Sequence, residues 1–595
     1  TIAGRAKNTS GVAVKGIAPE AEVYGYRVLG PYGTGGLEDI LAGIEKAVSD
    51  GMDVINLSLG ININDPQYPT STAINYAVLN GVTAVVSAGN SGPYSYTLGS
   101  PGAAALALTV GASSAPIPVA QYTGVVSGST TEFLLSNLYS DLVTDLSVFN
   151  NHQYEVIDLG VGLESDYVGK DVAGKIVFVS TGVIGTQTKT VYAKNHGAAA
   201  IIAYHNIPNS GTNPFVREDQ NFIPAFSISY EQGLELKAQL ATGNTKLTFK
   251  NFKEEYTEGD KLAWFSSRGP SRKNYDMKPE ITAPGVNVLS SVPAYSVYQN
   301  DPSNYQYAYN RMSGTSMAAP HVTGISALLL QANPDLEPSD IKTILMNTAK
   351  PLADKYSVFD VGAGRVDPYR AVHTGMELRV QDETPMRFNE ENIAIKDETG
   401  GLSFGNHYAN EETFIKKTVN ITNFEKNTKK FDVNVQFQTD VNGSLDASSN
   451  KVILDIPKVI PVQSFKTKKV PVTITVPATA KAGIYEGYLI ISNQDDKNEQ
   501  YRIPFSVRTT EEGIESTSLS SNAISPYHLQ ALPISSSTWN ERLNFRLKSP
   551  MKWLDLVLVD GKTGKDIGFL ETIYTDGLYD STNYYVERIF DGRYY

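Results

Sequence analysis

The sequence predicts an α/β protein with a parallel sheet, an inserted β-rich segment and β-sandwich modules towards the C-terminus. Three observations support this class. Between residues 21 and 112, short apolar runs alternate with segments of helical periodicity. From about 113 to 260 the apolar runs become short and alternating, and beyond residue 377 apolar residues recur at every second position. Strands interleaved with helices form a parallel sheet with helices on both faces, and its ligands bind at the carboxyl ends of the strands.

The first region is predicted to contain four strands and two helices. Val23–Val28 is expected to be a strand. Apolar residues at helical spacing predict the first helix, namely Leu37, Ile40, Leu41, Ile44, Ala47 and Val48. The remaining elements are strands at Val54–Leu57, Val82–Val86 and Leu106–Val110 and a short helix from Ala73 to Leu79 that Asn80-Gly81 ends.

A β-rich segment interrupts this first domain. Its clearest apolar runs are Gly174–Val179 and Ala198–Ala203. The α/β character returns at Lys261, and helical runs are predicted from Met317 to Leu330 and from Pro338 to Ala349. The first domain therefore closes after the insertion.

The C-terminal third has the two-residue periodicity of half-buried antiparallel strands. The alternating apolar residues are Phe431, Val433, Val435 and Phe437, then Val470, Val472, Ile474 and Val476, then Ile503, Phe505 and Val507. A β-sandwich is expected from about 377 to 509, and Trp553–Val559 predicts a strand of a further β module, expected to be cut short at Tyr595. The predicted domain boundaries are 1–115, 116–257, 258–375, 376–509 and 510–595.

Composition limits the function classes. A chain of 595 residues is too long for one hydrophobic core. It has no run of ~20 apolar residues that could span a membrane. The net charge of −13 argues against nucleic acid as a partner, because phosphate backbones attract basic surfaces. The absence of Cys excludes disulfides, thiol nucleophiles and Cys-bound zinc. No signal peptide or initiating Met opens the chain, so we expect an N-terminus that has been cut.

Polar residues follow two of the predicted strands. Ser58-Leu59-Gly60 comes after the strand through Leu57, and the segment from Ser87 to Gly92 comes after Val86. Taken alone, both are typical of turns between a strand and a helix. Ser316 starts a strongly apolar helix, where it is either an N-cap or a nucleophile at the helix's positive end.

These segments together resemble motifs of the subtilisin family. Gly314–Pro320 resembles its nucleophile motif G-T-S-M-A-x-P, and Ala88-Gly89-Asn90 resembles its oxyanion-hole motif. Further segments that match in family order are Gly16–Ala21, Val54–Gly60, Phe265–Pro270 and Lys278–Gly285. The resemblance covers about 1–115 and 258–375 and implies a subtilisin-like protease domain. The insertion looks like the protease-associated domain of larger subtilases, and the tail would be fibronectin-III-like.

The resemblance implies a secreted serine endopeptidase. Ser316 would be the nucleophile, and the Asn90 amide would hold the oxyanion together with the Ser316 N–H. Two segments would form strand edges beside an extended substrate, namely Gly33-Thr34-Gly35 and Ser58-Leu59-Gly60. A third, Ser87-Ala88-Gly89, would line the pocket for the substrate side chain before the cleaved bond. Backbone pairing of this kind reads no side chains, so specificity would be broad. Substrates would be proteins or peptides, no cofactor would be required, and the protein would be extracellular or associated with the cell wall through its C-terminal modules. Structural calcium is an expectation of the resemblance alone, without assigned ligands.

One part of the family pattern is missing from the sequence. The family's order is Asp, His, Ser, and its His motif H-G-T-H-V-A-G runs directly into T-I-A-G, which here is Thr1–Gly4. The resemblance therefore places the Asp and His before residue 1. None of the seven His residues replaces them: His321, the nearest to Ser316 in sequence, lies about 140° away around the helix. Residues 1–595 alone are expected to be inactive or nearly so.

Three other functions were weighed against this one. An α/β-hydrolase esterase requires a buried strand directly before the serine, and 304–311 is too polar for one. A metalloprotease is disfavoured because H-E-x-x-H does not occur. A degenerate protease that binds a partner without catalysis stays open, although Ser316 and Asn90 argue against it.

Overall fold

The protein was analysed as a computed structural model. The structure describes residues 1–7, 14–140, 144–208, 217–218, 222–243, 245–272, 275–296, 303, 305–306, 308–388, 391–511, 513–519, 541–548, 553–574 and 586–590. The chain forms two compact units. The first comprises Thr1–Val23, Ser113–Ala263 and Pro284–Met317, and the second comprises Tyr24–Ala112, Trp264–Ala283 and Ala318–Tyr595.

The first region alternates helices with parallel strands, as its periodicity predicts. The elements are α1 (Leu37–Ser49), β1 (Val54–Leu57), α2 (Pro69–Leu79), β2 (Thr83–Ser87) and β3 (Leu108–Ser113). Acidic residues in the first turn of α1 and Lys46 in its last turn complement the helix dipole. Strand β1 pairs with β2, and β2 with β3, in parallel. Apolar side chains of α1 and α2 pack with Ile55 and Leu57 of β1 in one core.

The prediction of a strand at Val23–Val28 is wrong. The structure has no strand there, and Val23 and Tyr24 are more than half exposed. An apolar run becomes a strand only when a neighbouring strand takes its backbone hydrogen bonds, and none of the described strands pairs with 23–28. Val28 instead approaches Gly43 of α1, where an added Cβ would lie 2.4 Å from its side chain.

The inserted segment forms a closed β-barrel. Its elements are β4 (Pro118–Val126), β5 (Glu132–Ser140), β6 (Gln153–Asp158), β7 (Ile176–Ser180), α3 (Thr186–Asn195), β8 (Ala200–Tyr204), β9 (Arg217–Glu218), β10 (Ala225–Ile228), α4 (Tyr230–Ala241) and β11 (Lys246–Tyr256), with 3₁₀ turns at Leu146–Phe149 and Glu164–Tyr167. The strand order is β10-β8-β7-β6-β11-β4-β5-β9, and β10 also pairs with β5. Seven strands therefore close into a ring.

Two apolar clusters lie on opposite faces of the barrel wall. Ile176 and Phe178 of β7 belong to one cluster. Val177 and Val179 belong to the other, together with Ala193 of α3. Because successive side chains of a strand point to opposite faces, a wall that is buried on both faces needs a continuous apolar run. This explains why β7 and β8 are the clearest apolar stretches of the insertion.

The α/β region resumes after the insertion. Its elements are β12 (Ile281–Pro284), β13 (Val288–Ser291), β14 (Tyr309–Met312), α5 (Thr315–Ala332), α6 (Pro338–Asn347), α7 (Val358–Val361) and α8 (Pro368–Val372), with a 3₁₀ turn at Ala294–Ser296. Strand β12 completes a sheet of order β1-β2-β3-β12. Thr323 of α5 bonds to Asn56, whose side chain alternates with those of Ile55 and Leu57. The sheet therefore has helices on both faces, as predicted.

A β-sandwich follows, as the two-residue periodicity predicts. Its strands are β15 (Met376–Phe388), β16 (Glu391–Thr399), β17 (Leu402–Tyr408), β18 (Thr413–Asn423), β19 (Lys429–Gln438), β20 (Ile453–Asp455), β21 (Val459–Val462), β22 (Thr467–Val476), β23 (Gly483–Asn493) and β24 (Gln500–Thr510). Two five-stranded sheets, of order β16-β15-β18-β22-β20 and β17-β24-β23-β19-β21, share one apolar core. We call residues 376–510 the sandwich.

The last described strands form two small sheets. They are β25 (Ile514–Leu519), β26 (Glu541–Leu547), β27 (Trp553–Val559), β28 (Asp566–Tyr574) and β29 (Val586–Phe590). Strand β26 pairs with β25 on one side and with β29 on the other. Strand β27 pairs with β28, which confirms the strand predicted at Trp553–Val559. Over the described ranges, no helix is long and apolar enough to cross a membrane. The domain boundaries and the family likeness of the barrel and sandwich stay predictions.

Candidate active site

Ser316 lies in the first turn of α5, directly after a β-hairpin. Strands β13 and β14 pair in antiparallel register up to Val288 and Met312. Two hydrogen bonds then fix the turn into the helix: the Gly314 N–H donates to the Gly285 carbonyl at 2.8 Å, and the Asn287 N–H donates to the Ser313 hydroxyl at 2.9 Å. Ser316 itself is partly exposed.

The start of α5 suits a nucleophile. The first N–H groups of an α-helix have no hydrogen-bond acceptor within the helix, and they lie at the positive end of the helix dipole. A developing negative charge is therefore stabilised there. The Met317 N–H turns back to the Gly314 carbonyl at 3.0 Å, which tightens the first turn. Pro320 lies inside the helix and has no N–H to donate to the carbonyl four residues earlier, that of Ser316.

Four of the described histidines form side-chain hydrogen bonds outside this turn. The imidazole of His152 bonds to the Asn150 carbonyl, that of His373 to Tyr369 and that of His407 to Phe404. His196 bonds to Glu164 and stacks on Tyr167, and burial lowers the pKa of His205. His321 lies on α5 as expected, and His528 falls outside the described residues.

Asn90 lies in a loop after β2, which we call the Asn90 loop and define as residues 88–99. Its two ends are joined, because the Gly99 N–H donates to the Ala88 carbonyl at 3.1 Å. Ala88 is fully buried and its N–H continues the sheet by donating to the Val110 carbonyl. Asn90 is exposed. The loop thus presents an amide side chain at the carboxyl end of a buried strand.

Gly89 is needed in this loop for two reasons. Its φ of +108° is a conformation that residues with a side chain rarely adopt. A Cβ at this position would also lie 2.8 Å from the Ser267 hydroxyl oxygen. The turn that the sequence predicts here is therefore present, and its glycine also permits close contact with another segment.

The contacting segment is the Phe265–Pro270 motif. The Ser267 N–H donates to the Gly89 carbonyl at 2.9 Å, and the Ser267 hydroxyl accepts from the Ser91 N–H at 3.0 Å. The Gly92 N–H donates to the Phe265 carbonyl at 2.9 Å. This motif supports the Asn90 loop from the side, a role that its sequence alone did not assign.

Ser58-Leu59-Gly60 lies at the same sheet edge as Ser87-Ala88-Gly89. Leu57 and Val86 are register partners in neighbouring parallel strands, and the Ser87 hydroxyl donates to the Leu57 carbonyl at 3.4 Å. The Asn56 amide donates to the Ser58 hydroxyl at 3.1 Å. The structure therefore brings these two predicted segments together.

Gly33-Thr34-Gly35 forms an exposed loop before α1. The Gly30 N–H donates to the Thr34 carbonyl at 2.8 Å, and Gly33 has a φ of +74°. Neither this loop nor Ser58-Leu59-Gly60 belongs to a strand in the structure. Their pairing with an extended substrate stays a prediction.

A cavity of about 600 Å³ lies away from these segments. It is lined by residues of α6 and by Glu377, Arg379 and Asn420 of the sandwich, and no predicted site residue contributes to it. Nothing in the residue pattern predicted this cavity. Within the described part of the chain, no three His, Cys, Asp or Glu side chains are grouped so as to hold a metal ion.

A parallel sheet with helices on both faces and a polar loop at its carboxyl edge define a protein of the α/β class. The chain belongs to the subtilase family, peptidase S8, whose family model matches residues 1–364. The resemblance stated from the sequence motifs is thereby confirmed.

Individual relatives agree with the family match. The chain is 35% identical to the minor extracellular protease Vpr of Bacillus subtilis (strain 168) over 482 residues, or 80% of this chain and 55% of that protein. It is 33% identical to the subtilisin-like protease SBT5.4 of Arabidopsis thaliana over 401 residues, or 61% of this chain and 49% of the relative. The chain thus spans about half the length of the curated relatives it matches.

A solved structure was also compared. The psychrophilic subtilisin-like protease Apa1 from the Antarctic psychrotroph Pseudoalteromonas sp. AS-11 aligns with 58% of this chain and 76% of its own, at 19% identity and a TM-score of 0.29. This superposition is too poor to assign a fold, so the class rests on the family match and the strand order.

Proposed function

We propose that this protein is a secreted serine endopeptidase that hydrolyses peptide bonds of proteins, with Ser316 as its nucleophile. The observation that carries the proposal is the position of Ser316, one residue into α5 and two residues after the Gly314 turn that Gly285 fixes. The subtilase family match over residues 1–364 supports the same chemistry.

The proposed reaction is acyl transfer. The Ser316 hydroxyl oxygen attacks the scissile carbonyl carbon while a base takes the hydroxyl proton. The Asn90 amide and the Ser316 N–H donate to the resulting oxyanion. Protonation of the leaving amine breaks the C–N bond and leaves an acyl-enzyme, which water then hydrolyses. The family resemblance assigns the base to a His that is oriented by an Asp.

The proposed substrates are proteins and peptides in an extended conformation. Ser58-Leu59-Gly60 and Gly33-Thr34-Gly35 would offer backbone groups to the substrate, and Ser87-Ala88-Gly89 would wall the pocket for the side chain before the cleaved bond. This chemistry requires no cofactor. Structural calcium and association with the cell wall stay expectations of the resemblance. An extracellular location agrees with the name of the Bacillus subtilis relative, minor extracellular protease Vpr.

A fluorophosphonate probe tests the proposal, because it reacts only with an activated serine. The full-length protein is expected to be labelled at Ser316, the Ser316→Ala variant is expected to remain unlabelled, and Ser326→Ala, which changes a buried serine of the same helix, is expected to label normally. Absence of labelling in the folded full-length protein would favour the alternative, a degenerate protease that binds a partner without catalysis.

A further inference from the structure

Two side chains of the sandwich donate hydrogen bonds to the segment that follows Asn90. A guanidinium N–H of Arg508, on β24, donates to the Tyr96 hydroxyl. The Asn442 amide, in the connection between β19 and β20, donates to the Ser95 hydroxyl at 3.2 Å. Both acceptors lie in the Asn90 loop, so side chains more than 340 residues away in sequence hold its outer part.

Tyr96 is the residue of the Asn90 loop whose burial and hydrogen bonds fix the outer part of the loop. It is 3% exposed and has a φ of +62°, a left-handed conformation that costs free energy for a residue with a side chain. Its N–H donates to the Gly269 carbonyl at 3.0 Å, and its carbonyl accepts from the Asn64 amide at 3.2 Å. Such a conformation persists only where several contacts enforce it.

Arg508 supplies the contact to the Tyr96 side chain. The guanidinium is buried, with the residue 5% exposed, and its central carbon lies 6.0 Å from the centre of the Tyr96 ring and 5.9 Å from that of Tyr275. Arg272 lies over the Tyr96 ring from 5.5 Å. A buried cation among aromatic faces is held by cation–π attraction and by its hydrogen bond to the phenol. Removing it leaves the phenol without this donor in a buried place.

We propose that Arg508 is a positioning residue for catalysis: by holding Tyr96, it fixes the position of the Asn90 side-chain amide. Because Arg508 belongs to the sandwich, the sandwich then contributes to catalysis. The inference rests on the proposed role of Asn90. Tyr96 follows Asn90 by six residues within a loop whose ends are joined, so a shift at Tyr96 is transmitted to the amide. Because oxyanion donors act only from a narrow range of positions, a displacement of ~1 Å is enough to lower turnover by up to ~10²-fold.

A double-mutant cycle in the full-length protein tests the coupling. Asn90→Ala is expected to lower kcat by roughly 10²- to 10³-fold with little change in KM, which is the loss seen on removing one oxyanion donor in subtilisin. Arg508→Met is expected to lower kcat by roughly 10-fold with KM unchanged. In the Asn90→Ala background, Arg508→Met is expected to have less than about a 2-fold effect, because interacting residues are not additive.

Matched variants separate positioning from general destabilisation. Arg502→Met removes another arginine of β24, which stacks on Tyr488 and not on the Asn90 loop, and should leave kcat unchanged. Tyr96→Phe keeps the ring and removes only the hydroxyl, so it should lower kcat in the same direction without the risk of misfolding. A loss in Arg508→Met that stays equally large in the Asn90→Ala background would overturn the inference.

Hydrogen exchange gives a readout that does not depend on activity. Amides of residues 88–99 are expected to exchange faster in Arg508→Met than in the unsubstituted protein, whereas those of α1 should be unaffected. If Asn90→Ala leaves kcat unchanged, Asn90 does not stabilise the oxyanion. Hydrogen exchange still shows in that case whether Arg508 orders residues 88–99. Unchanged exchange in residues 88–99 would contradict the inference by itself.

Discussion

At position 89 only glycine fits, because its φ is +108° and an added Cβ would lie 2.8 Å from the Ser267 hydroxyl oxygen. Its neighbours after a buried strand predict a turn with positive φ, and the structure has φ +108° there. The contact of Gly89 with Ser267 was not predictable, because it joins segments 178 residues apart along the chain. The same holds for Arg508 and Tyr96, separated by 412 positions. Local sequence patterns predict backbone conformation. Polar contacts between residues that are far apart in sequence produce no periodicity from which they could be predicted.

Glu486 is a buried carboxyl group that the proposed mechanism does not use. It is 1% exposed, and burial raises the pKa of its carboxyl group to about 8, with the nearby Asp360 acting in the same direction. The Ser357 hydroxyl donates to it at 2.7 Å and the Val358 N–H at 3.0 Å, which opposes the rise. Folded protein therefore keeps this proton at neutral pH.

This raised pKa predicts that stability falls with rising pH. In the unfolded chain the Glu486 carboxyl group has the ordinary glutamate pKa of 4.5, whereas in the folded protein its pKa is about 8. Between these values the folded state binds more protons, so the free energy of unfolding decreases as pH rises, by up to about 1.4 kcal/mol per pH unit. Glu486→Gln should remove this decrease: the variant should match the unsubstituted protein near pH 4.5 and exceed it at pH 9.

Urea unfolding at several pH values measures the difference. Glu412→Gln is a suitable control, because Glu412 is exposed and should leave the pH profile unchanged. An identical decrease in the Glu486→Gln variant would assign the pH dependence to another group, such as Asp360, whose pKa burial also raises.

Helix α5 is an element that the sequence predicts to within two residues at each end. The apolar run from Met317 to Leu330 gives a helix at Thr315–Ala332, because one strongly apolar face packs in the interior whatever the tertiary details. The prediction of a strand at Val23–Val28 is wrong for the opposite reason. A strand forms only by pairing with a neighbouring strand, and an apolar run does not specify that neighbour.

Thr323 ties α5 to the sheet. Its hydroxyl donates to the side-chain amide oxygen of Asn56 at 3.0 Å and lies 3.1 Å from the Ala319 carbonyl of its own helix. The Asn56 amide N–H donates in turn to the Ser58 hydroxyl at 3.1 Å. Thr323→Val keeps the shape and removes the donor, which should lower the free energy of unfolding by about 1–3 kcal/mol because the acceptor stays in the interior. Ser326→Ala removes a hydroxyl that bonds only within the helix, to the Val322 carbonyl, and should cost less. Thermal unfolding compares the two variants, and equal losses would show that the Asn56 contact adds nothing.

At the scale of the whole molecule, the sandwich is bonded to the α/β region by buried polar groups. Glu486 bonds to Ser357, the Tyr488 hydroxyl donates to the Gly362 carbonyl at 3.1 Å, and the Asn347 amide oxygen accepts from the Leu378 N–H at 2.8 Å. The two-residue periodicity predicted the sandwich itself but not this attachment. Periodicity identifies which face of a strand is buried and does not identify what covers it.

At the scale of the whole molecule, residues 1–595 produced alone are predicted to form an inefficient protease, because the family's His motif H-G-T-H-V-A-G does not occur among them. Without a base, the Ser316 hydroxyl keeps its proton near neutral pH and is a weak nucleophile, whatever the Asn90 loop provides. In subtilisin, loss of the catalytic His lowers kcat by about 2 × 10⁶. A fluorophosphonate probe should therefore label the full-length protein at Ser316 and leave residues 1–595 unlabelled, with circular dichroism to confirm that both are folded. Rapid stoichiometric labelling of residues 1–595 would show that a residue within this sequence supplies the base, and the prediction would then be wrong.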